Sequence, residues 1–322
     1  MHPNDEFHPP TNDDPYWSET NWFAFGVPDR KLSGWLYPFF RPSLGVCSAA
    51  VLLWDDQGDQ TWNCRYFKQF WHLPMPDEPL SDFTLANGLR YRCTEDEMVY
   101  QLSYHDPDAS DPDDREISIS LTFTAIMPPL ATANAGPAGG HLDQVGRFEG
   151  AIKLRGETIP VNSYGAHDRS WGSRSQFSQY LMSSGNFKAS ESPYFFAASE
   201  NVAFQGIAAN VTPEYPLLMG FFMRDNDVVR LKSGNREVLE RDDATGAPVR
   251  VLVTAVDEHG HELHAEGECV NRLMVFLNEN LCGWNSLVRW DIDGVEAWGE
   301  HHDNFSAHGM RRFARARMFG EE

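Results

Sequence analysis

No stretch of this 322-residue chain approaches the roughly 18 continuous apolar residues that a membrane helix requires. Its start, MHPNDEFHPPTNDDP, also lacks the basic segment and apolar run of an export signal. A cytoplasmic protein without membrane insertion is therefore expected. Basic residues are scarce: 26 Lys and Arg stand against 47 Asp and Glu, a formal net charge of -21. Such a surface repels phosphate backbones and anionic headgroups, which argues against a nucleic-acid partner. Cysteines number only 5, at 47, 64, 93, 269 and 282, an odd set without CxxC spacing. That excludes a disulfide framework and a zinc ribbon, and leaves the thiols as small buried hydrophobes. GxGxxG, GxxxxGK[ST] and GxSxG are all missing, so phosphate-cradling loops and hydrolase elbows have no support.

Aromatic residues, by contrast, are plentiful, with 21 Phe, 10 Trp and 10 Tyr, enough both to pack a core and to line a cavity. Short alternating runs dominate, separated by Gly, Pro, Asn and Asp. In "EISISLTFTAIM" Ile117, Ile119, Leu121 and Phe123 share one face and Ser118, Ser120 and Thr122 the other. Similar runs from "GVCSAAVLLW" to "SLVRWDIDGVEAW" predict an all-β, antiparallel chain with few short helices. Helical periodicity is weak and confined to "HGMRRFARARMF". Many strands must close or stack to protect their edges, which means barrels or sandwiches. "DPDASDPDDRE" reads as an acidic loop, and "PPLATANAGPAGGHLD" as a connector that places a domain boundary near residue 145, giving 1–145 and 146–322.

Chemistry concentrates in "NSYGAHDRSWGSR". On a regular strand His167 and Asp168 point apart, but Gly165 and Gly172 suggest bends that re-aim side chains. The bland reading is an Asp–Arg pair and a packed Trp pinning a junction. The functional reading is a carboxylic acid beside an apolar cavity, with His167 as relay partner. An echo follows downstream: "YGAHDRSW" (164–171) and "WGEHHDNF" (298–305) both read aromatic-Gly-x-His, then Asp, then an aromatic, as a duplicated β unit would. The second copy offers Glu300, His301, His302 and Asp303, yet consecutive histidines on a strand face opposite ways and no further metal spacing lies near. "HGHELHAEGE" matches a cupin-like HxHxxxxE spacing but reads more simply as a hairpin turn. No metal is assigned. The N-terminal "YWSETNWFAF" sets Glu19 and Asn21 among aromatics, either as core or as a ligand wall. Asn210 and Asn304 head glycosylation sequons that carry no weight without secretion.

"YGAHDRSWGSR" resembles a motif of the carotenoid 1,2-hydratase (hydroxyneurosporene synthase)-like family, and more closely its uncharacterised bacterial branch. Gly165, Asp168, Arg169, Ser170, Trp171, Gly172 and Arg174 match, while His167 replaces a more usual Arg. The resemblance implies two consecutive lipocalin-like domains and cofactor-free addition or loss of water at an isoprenoid double bond or tertiary alcohol. It places Asp168 as proton donor with His167 or Glu300 handling the water. Tyr164, Arg169, Trp171, Arg174, Glu19, Asn21, Trp22 and His301 would bind substrate. The expected function is a cofactor-independent acid–base lyase on a hydrophobic alcohol or alkene such as a terpenoid, steroid or phenylpropanoid. The alternative is a non-catalytic carrier of such a molecule, with homodimerisation left open.

Overall fold

The computed structural model describes residues 1–106, 117–131, 139–174, 191–208, 217–278 and 281–320. The acidic loop 107–116, part of the connector (132–138) and the Asn210 sequon lie outside the described residues. In chain order the strands are β1 (Trp17–Val27), β2 (Leu32–Arg41), β3 (Val46–Trp54), β4 (Tyr66–Pro74), β5 (Asp82–Thr84), β6 (Leu89–Glu95) and β7 (Val99–His105). There follow β8 (Ser118–Ala125), β9 (Leu130–Ala131), β10 (Gly139–Leu154), β11 (Glu157–Ser173), β12 (Tyr194–Ala198), β13 (Val202–Ala208) and β14 (Leu217–Arg224). The last are β15 (Asp227–Arg241), β16 (Pro248–Asp257), β17 (Glu262–Cys269), β18 (Leu273–Asn278), β19 (Leu281–Ile292) and β20 (Val295–Ser306), before helix α1 (Ala307–Phe319).

The first sheet runs β4-β3-β2-β1-β11-β10-β8-β7-β6-β5, with β9 on β10, and curls into a half-barrel. The second runs β17-β16-β15-β14-β13-β12-β20-β19-β18, and a further β17–β19 pairing closes eight of its strands into a barrel. Two consecutive lipocalin-like β domains thus account for the chain. Alternation is clean where one face is wet: Ile119, Leu121 and Phe123 of β8 are buried between less buried neighbours. Every residue of β1 is buried, so that strand has no solvent face. The closed barrel packs Phe195, Phe204, Phe222, Val251, Val253 and Trp290 at its centre.

The chain divides into two compact units, one of Met1–Val27, Gly34–Leu52 and Phe67–Ser173, the other of Pro28–Ser33, Leu53–Tyr66 and Arg174–Glu322. Residue 145, where composition put the boundary, lies inside β10 instead. The reason is local. Gly140 is there to admit the ring of Trp171, into which a Cβ would drive, so Gly139 and Gly140 open a strand. "HGMRRFARARMF" does form α1, capped by Ser306, whose hydroxyl accepts the Gly309 N–H at 2.9 Å, and ended by left-handed Gly320. "HGHELHAEGE" is the β16–β17 hairpin, in which Asp257 accepts the His259 and His261 backbone N–H groups. No disulfide joins the cysteines. Among the described residues no helix is long and apolar enough to cross a membrane.

Candidate functional site

In the first unit the site is built on three neighbouring strands, β1, β11 and β10. Their register is unbroken, so Trp22, Asp168 and Asp143 form one cross-strand row and Phe23, His167 and Gln144 the next. Successive residues of a strand face opposite ways, which puts these rows on opposite faces of the sheet. Gly165 does not bend β11; it makes room for Phe148 and the Ala24 carbonyl. His167 and Asp168 therefore point apart, and the relay expected from their adjacency has no geometric basis.

On the inner face His167 is a core residue. It stacks on Phe23 with centroids 4.1 Å apart and also meets Tyr100 and Phe123. Its Nδ1 is 2.7 Å from Gln144 Oε1, and Gln144 spends its amide nitrogen on the carbonyls of Glu97 and Met127. The Nδ1–H consequently donates, and Nε2 lies 2.7 Å from Asn21 Oδ1, so a neutral ring requires the Asn21 amide turned to present its nitrogen. Burial, with Arg169 adding to it, pushes the imidazole down to about 3, so it stays neutral. A cavity of about 10 Å³, room for a single water, lies against His167, Gln144, Tyr100 and Arg169.

Arg169 lies two residues along the same face. It pairs with the fully buried Glu19 and donates to the carbonyls of Thr20 at 3.1 Å and Glu6 at 3.0 Å. Glu19 also accepts the His8 backbone N–H at 2.6 Å, and the His8 ring stacks on Trp171 at 3.9 Å. Arg169, Glu19 and Trp171 thus tie the N-terminal segment down, with Glu19 rather than an aspartate as the partner of Arg169. Replacing Arg169 by Met leaves the buried Glu19 without its partner, an expected loss of about 3 kcal/mol. Urea unfolding measures it, and faster proteolysis within residues 1–16 should accompany it.

Asp168 occupies the other face. Across the ladder it has Trp22 on one side and Asp143 on the other. Trp22 meets Trp35 edge-to-face at 5.4 Å and Tyr37 at 6.5 Å. His141 Nε2 is 2.7 Å from Asp143 Oδ2 and 3.7 Å from Asp168 Oδ2, while its Nδ1 is 2.7 Å from Ser170 Oγ. Ser170 Oγ reaches Asp168 Oδ1 at 3.4 Å. The Asp168 side chain keeps 17% of its surface accessible, enough to meet a ligand. His141, Asp143 and Asp168 offer ligand atoms all within 4.8 Å of one another, the arrangement that could hold a divalent cation. Asp5, Cys93 and Asp96 form a second such group, but burial pushes the Cys93 thiol up to about 12, and a protonated thiol is a poor ligand. Tyr164 shares the face of Asp168 farther along β11, opposite Arg147 and partly buried. Sequence reasoning missed His141 and Asp143; their i, i+2 spacing was the available signal, hidden in a Pro/Gly-rich segment.

In the second unit β20 repeats the pattern of β11. His301 and Asp303 face the barrel interior, and Glu300 and His302 face outward. Arg236 Nε–H donates to His301 Nε2 at 2.8 Å, and Arg236 also pairs with Asp303, which takes Arg241 at 2.6 Å on its other oxygen. Burial and Arg236 hold His301 well below the usual imidazole range. The two guanidiniums outweigh burial and hold the Asp303 carboxyl well below the carboxylate range. Glu300 Oε2 lies 2.8 Å from His302 Nε2, both groups buried, with Tyr194 and Phe196 beside them. Arg174, partly buried, immediately follows β11 and belongs to this unit. Of the residues singled out in the sequence, then, Trp22, Tyr164 and Asp168 share one face; His167, Arg169, Trp171, Glu19 and Asn21 share its reverse. Asn304 is buried, which rules out its sequon in the folded chain.

A curled half-barrel followed by a closed barrel gives the chain a fold of two lipocalin-like β domains. Residues 2–305 match DUF7064, a domain of unknown function, and the chain belongs to that family. Among solved structures, a protein of Nitrosomonas europaea carrying the provisional name AttH is similar at 14% identity and a TM-score of 0.59, over 89% of this chain and 91% of that one. CghA, crystallised with Sch210972, is similar at 14% identity and a TM-score of 0.50, over 91% of this chain and 89% of that one. Such likeness concerns the fold. No curated protein sequence matches the chain.

Proposed function

We propose that the protein is an acid–base carbon–oxygen lyase that adds water to, or removes it from, a hydrophobic alcohol or alkene. The observation that carries this reading is the setting of Asp168, a carboxyl group between the aromatic Trp22 and the His141–Asp143 pair. Hydration of an alkene needs an acid to protonate carbon, an aromatic face to stabilise the resulting cation, and a base to take a proton from water. Asp168 supplies the acid, Trp22 with Trp35 and Tyr37 the aromatic wall, and His141 the base, oriented by Ser170 and Asp143. Dehydration runs the same steps in reverse. His141 takes the relay role expected of His167. Glu300 with His302 is a second proton-handling pair, on the barrel. A carrier has no use for a paired imidazole and carboxylates at its ligand face, and this weighs against the non-catalytic alternative. A terpenoid-type alcohol suits the aromatic wall.

The test is turnover of apolar alcohols, followed by mass spectrometry for loss or gain of water. Asp168→Asn should fold normally and lower the rate about 10²-fold. Full activity in that variant would remove Asp168 from the mechanism. A second reading has the His141–Asp143–Asp168 group as cation ligands, favoured by their mutual distances. Elemental analysis of the purified protein separates the two, since a stoichiometric divalent ion would make Asp168 a ligand rather than an acid.

A further inference from the structure

The outward face of β19 and β20 carries buried polar atoms that the fold leaves unanswered. Asn285 is fully buried and Asn304 nearly so, and among the described residues neither Oδ1 has a hydrogen-bond partner. The orientation of Asn285 is fixed, because its Nδ2 donates to the Gly283 carbonyl at 3.1 Å and a flipped amide would set oxygen against oxygen. Asn304 stands directly across the ladder from Gly283, whose missing side chain leaves the carboxamide its room. The two asparagines are thus diagonal neighbours on one face, about 7 Å apart. His302, hydrogen-bonded to Glu300, lies directly opposite Asn285 and beside Tyr194.

An unsatisfied buried carbonyl costs free energy, and two of them side by side on a face that also bears an acid–base pair form an acceptor set awaiting donors. Neutral amide oxygens offer no charge to offset the desolvation of an ammonium group, so hydroxyls are the fitting donors. We propose that Asn285 and Asn304 form a binding site for the vicinal or 1,3-diol head group of an otherwise apolar molecule, with Tyr194 against its hydrocarbon portion. The site stands on the barrel alone and does not depend on the role given to Asp168.

The experiment is calorimetric titration of the full chain with 1,2-octanediol, and with 2-octanone as a ligand that only accepts. The diol should bind and the ketone should bind at least tenfold more weakly. Asn285→Leu and Asn304→Leu should each weaken diol binding at least tenfold; Asn304→Leu, which removes an orphaned acceptor, should leave the melting temperature unchanged or raised, whereas Asn285→Leu also gives up its bond to the Gly283 carbonyl. A residue that only supports the fold would instead lower the melting temperature. Equal binding of diol and ketone, no diol binding to the wild type, or unchanged diol affinity in both variants would overturn the proposal. If one variant unfolds, the other and the ligand comparison still decide it.

Discussion

Asp303→Asn is expected to destabilise the second unit by about 5 kcal/mol, the upper end of what breaking a buried ion pair costs. Asp303 is buried inside the barrel between Arg236, itself buried, and Arg241. Asparagine fills the same volume, so the loss is electrostatic: a guanidinium remains in a low-dielectric interior without its counter-charge, and the His301 ring that accepts from Arg236 loses its brace. Urea unfolding of the variant against wild type measures the change. The apolar double variant Asp303→Leu with Arg236→Met should recover much of the loss, since removing both charges also removes their desolvation cost. A single-variant loss under 1 kcal/mol would mean that water reaches the cluster.

The same cluster explains why parts of the architecture were legible in the sequence and parts were not. Alternation exposed the strands with one wet face, such as β8, and Pro and Gly marked their ends. β1, and β20 from Gly299 on, are buried on both faces, so their polar residues carried no orientation signal, and Glu19 and Asp303 could not be told from surface charges. The 164–171 and 298–305 echo holds for its histidines alone, since His167 and His301 are both buried with depressed pKa values, while Asp168 and Asp303 take different surroundings. What adjacency misjudged was partnership. Asp168 meets His141 and Asp143 from the neighbouring strand, because in a sheet the cross-strand side chains share its face and the next residue along the chain points to the other. At the end of "PPLATANAGPAGGHLD", Gly140 answers to Trp171, 31 positions later, and composition cannot see a distant ring.

Acid should unfold the protein in two separable windows, and His167 sets the first. Its folded value of about 3 lies below the ordinary 6.5 of an unfolded imidazole. Below pH 6.5 the unfolded chain therefore binds a proton that the folded chain refuses, and stability falls as pH drops from 6.5 towards 3. Between pH 6.5 and 5 this amounts to about 2 kcal/mol from His167, with His301 acting in the same direction. Asp303 opens the second window. Its carboxyl is depressed in the fold, so its contribution is intact above the unfolded carboxylate value near 3.9 and is lost only below it. Urea unfolding from pH 7.5 to 4.5 should accordingly slope downward below 6.5. His167→Gln keeps a polar group between Gln144 and Asn21 but cannot bind a proton, and should flatten the slope near pH 5 by about 1.4 kcal/mol per pH unit. A wild-type profile level from pH 7.5 to 5 would show that neither buried imidazole is held neutral, and that water enters the aromatic core around Phe23.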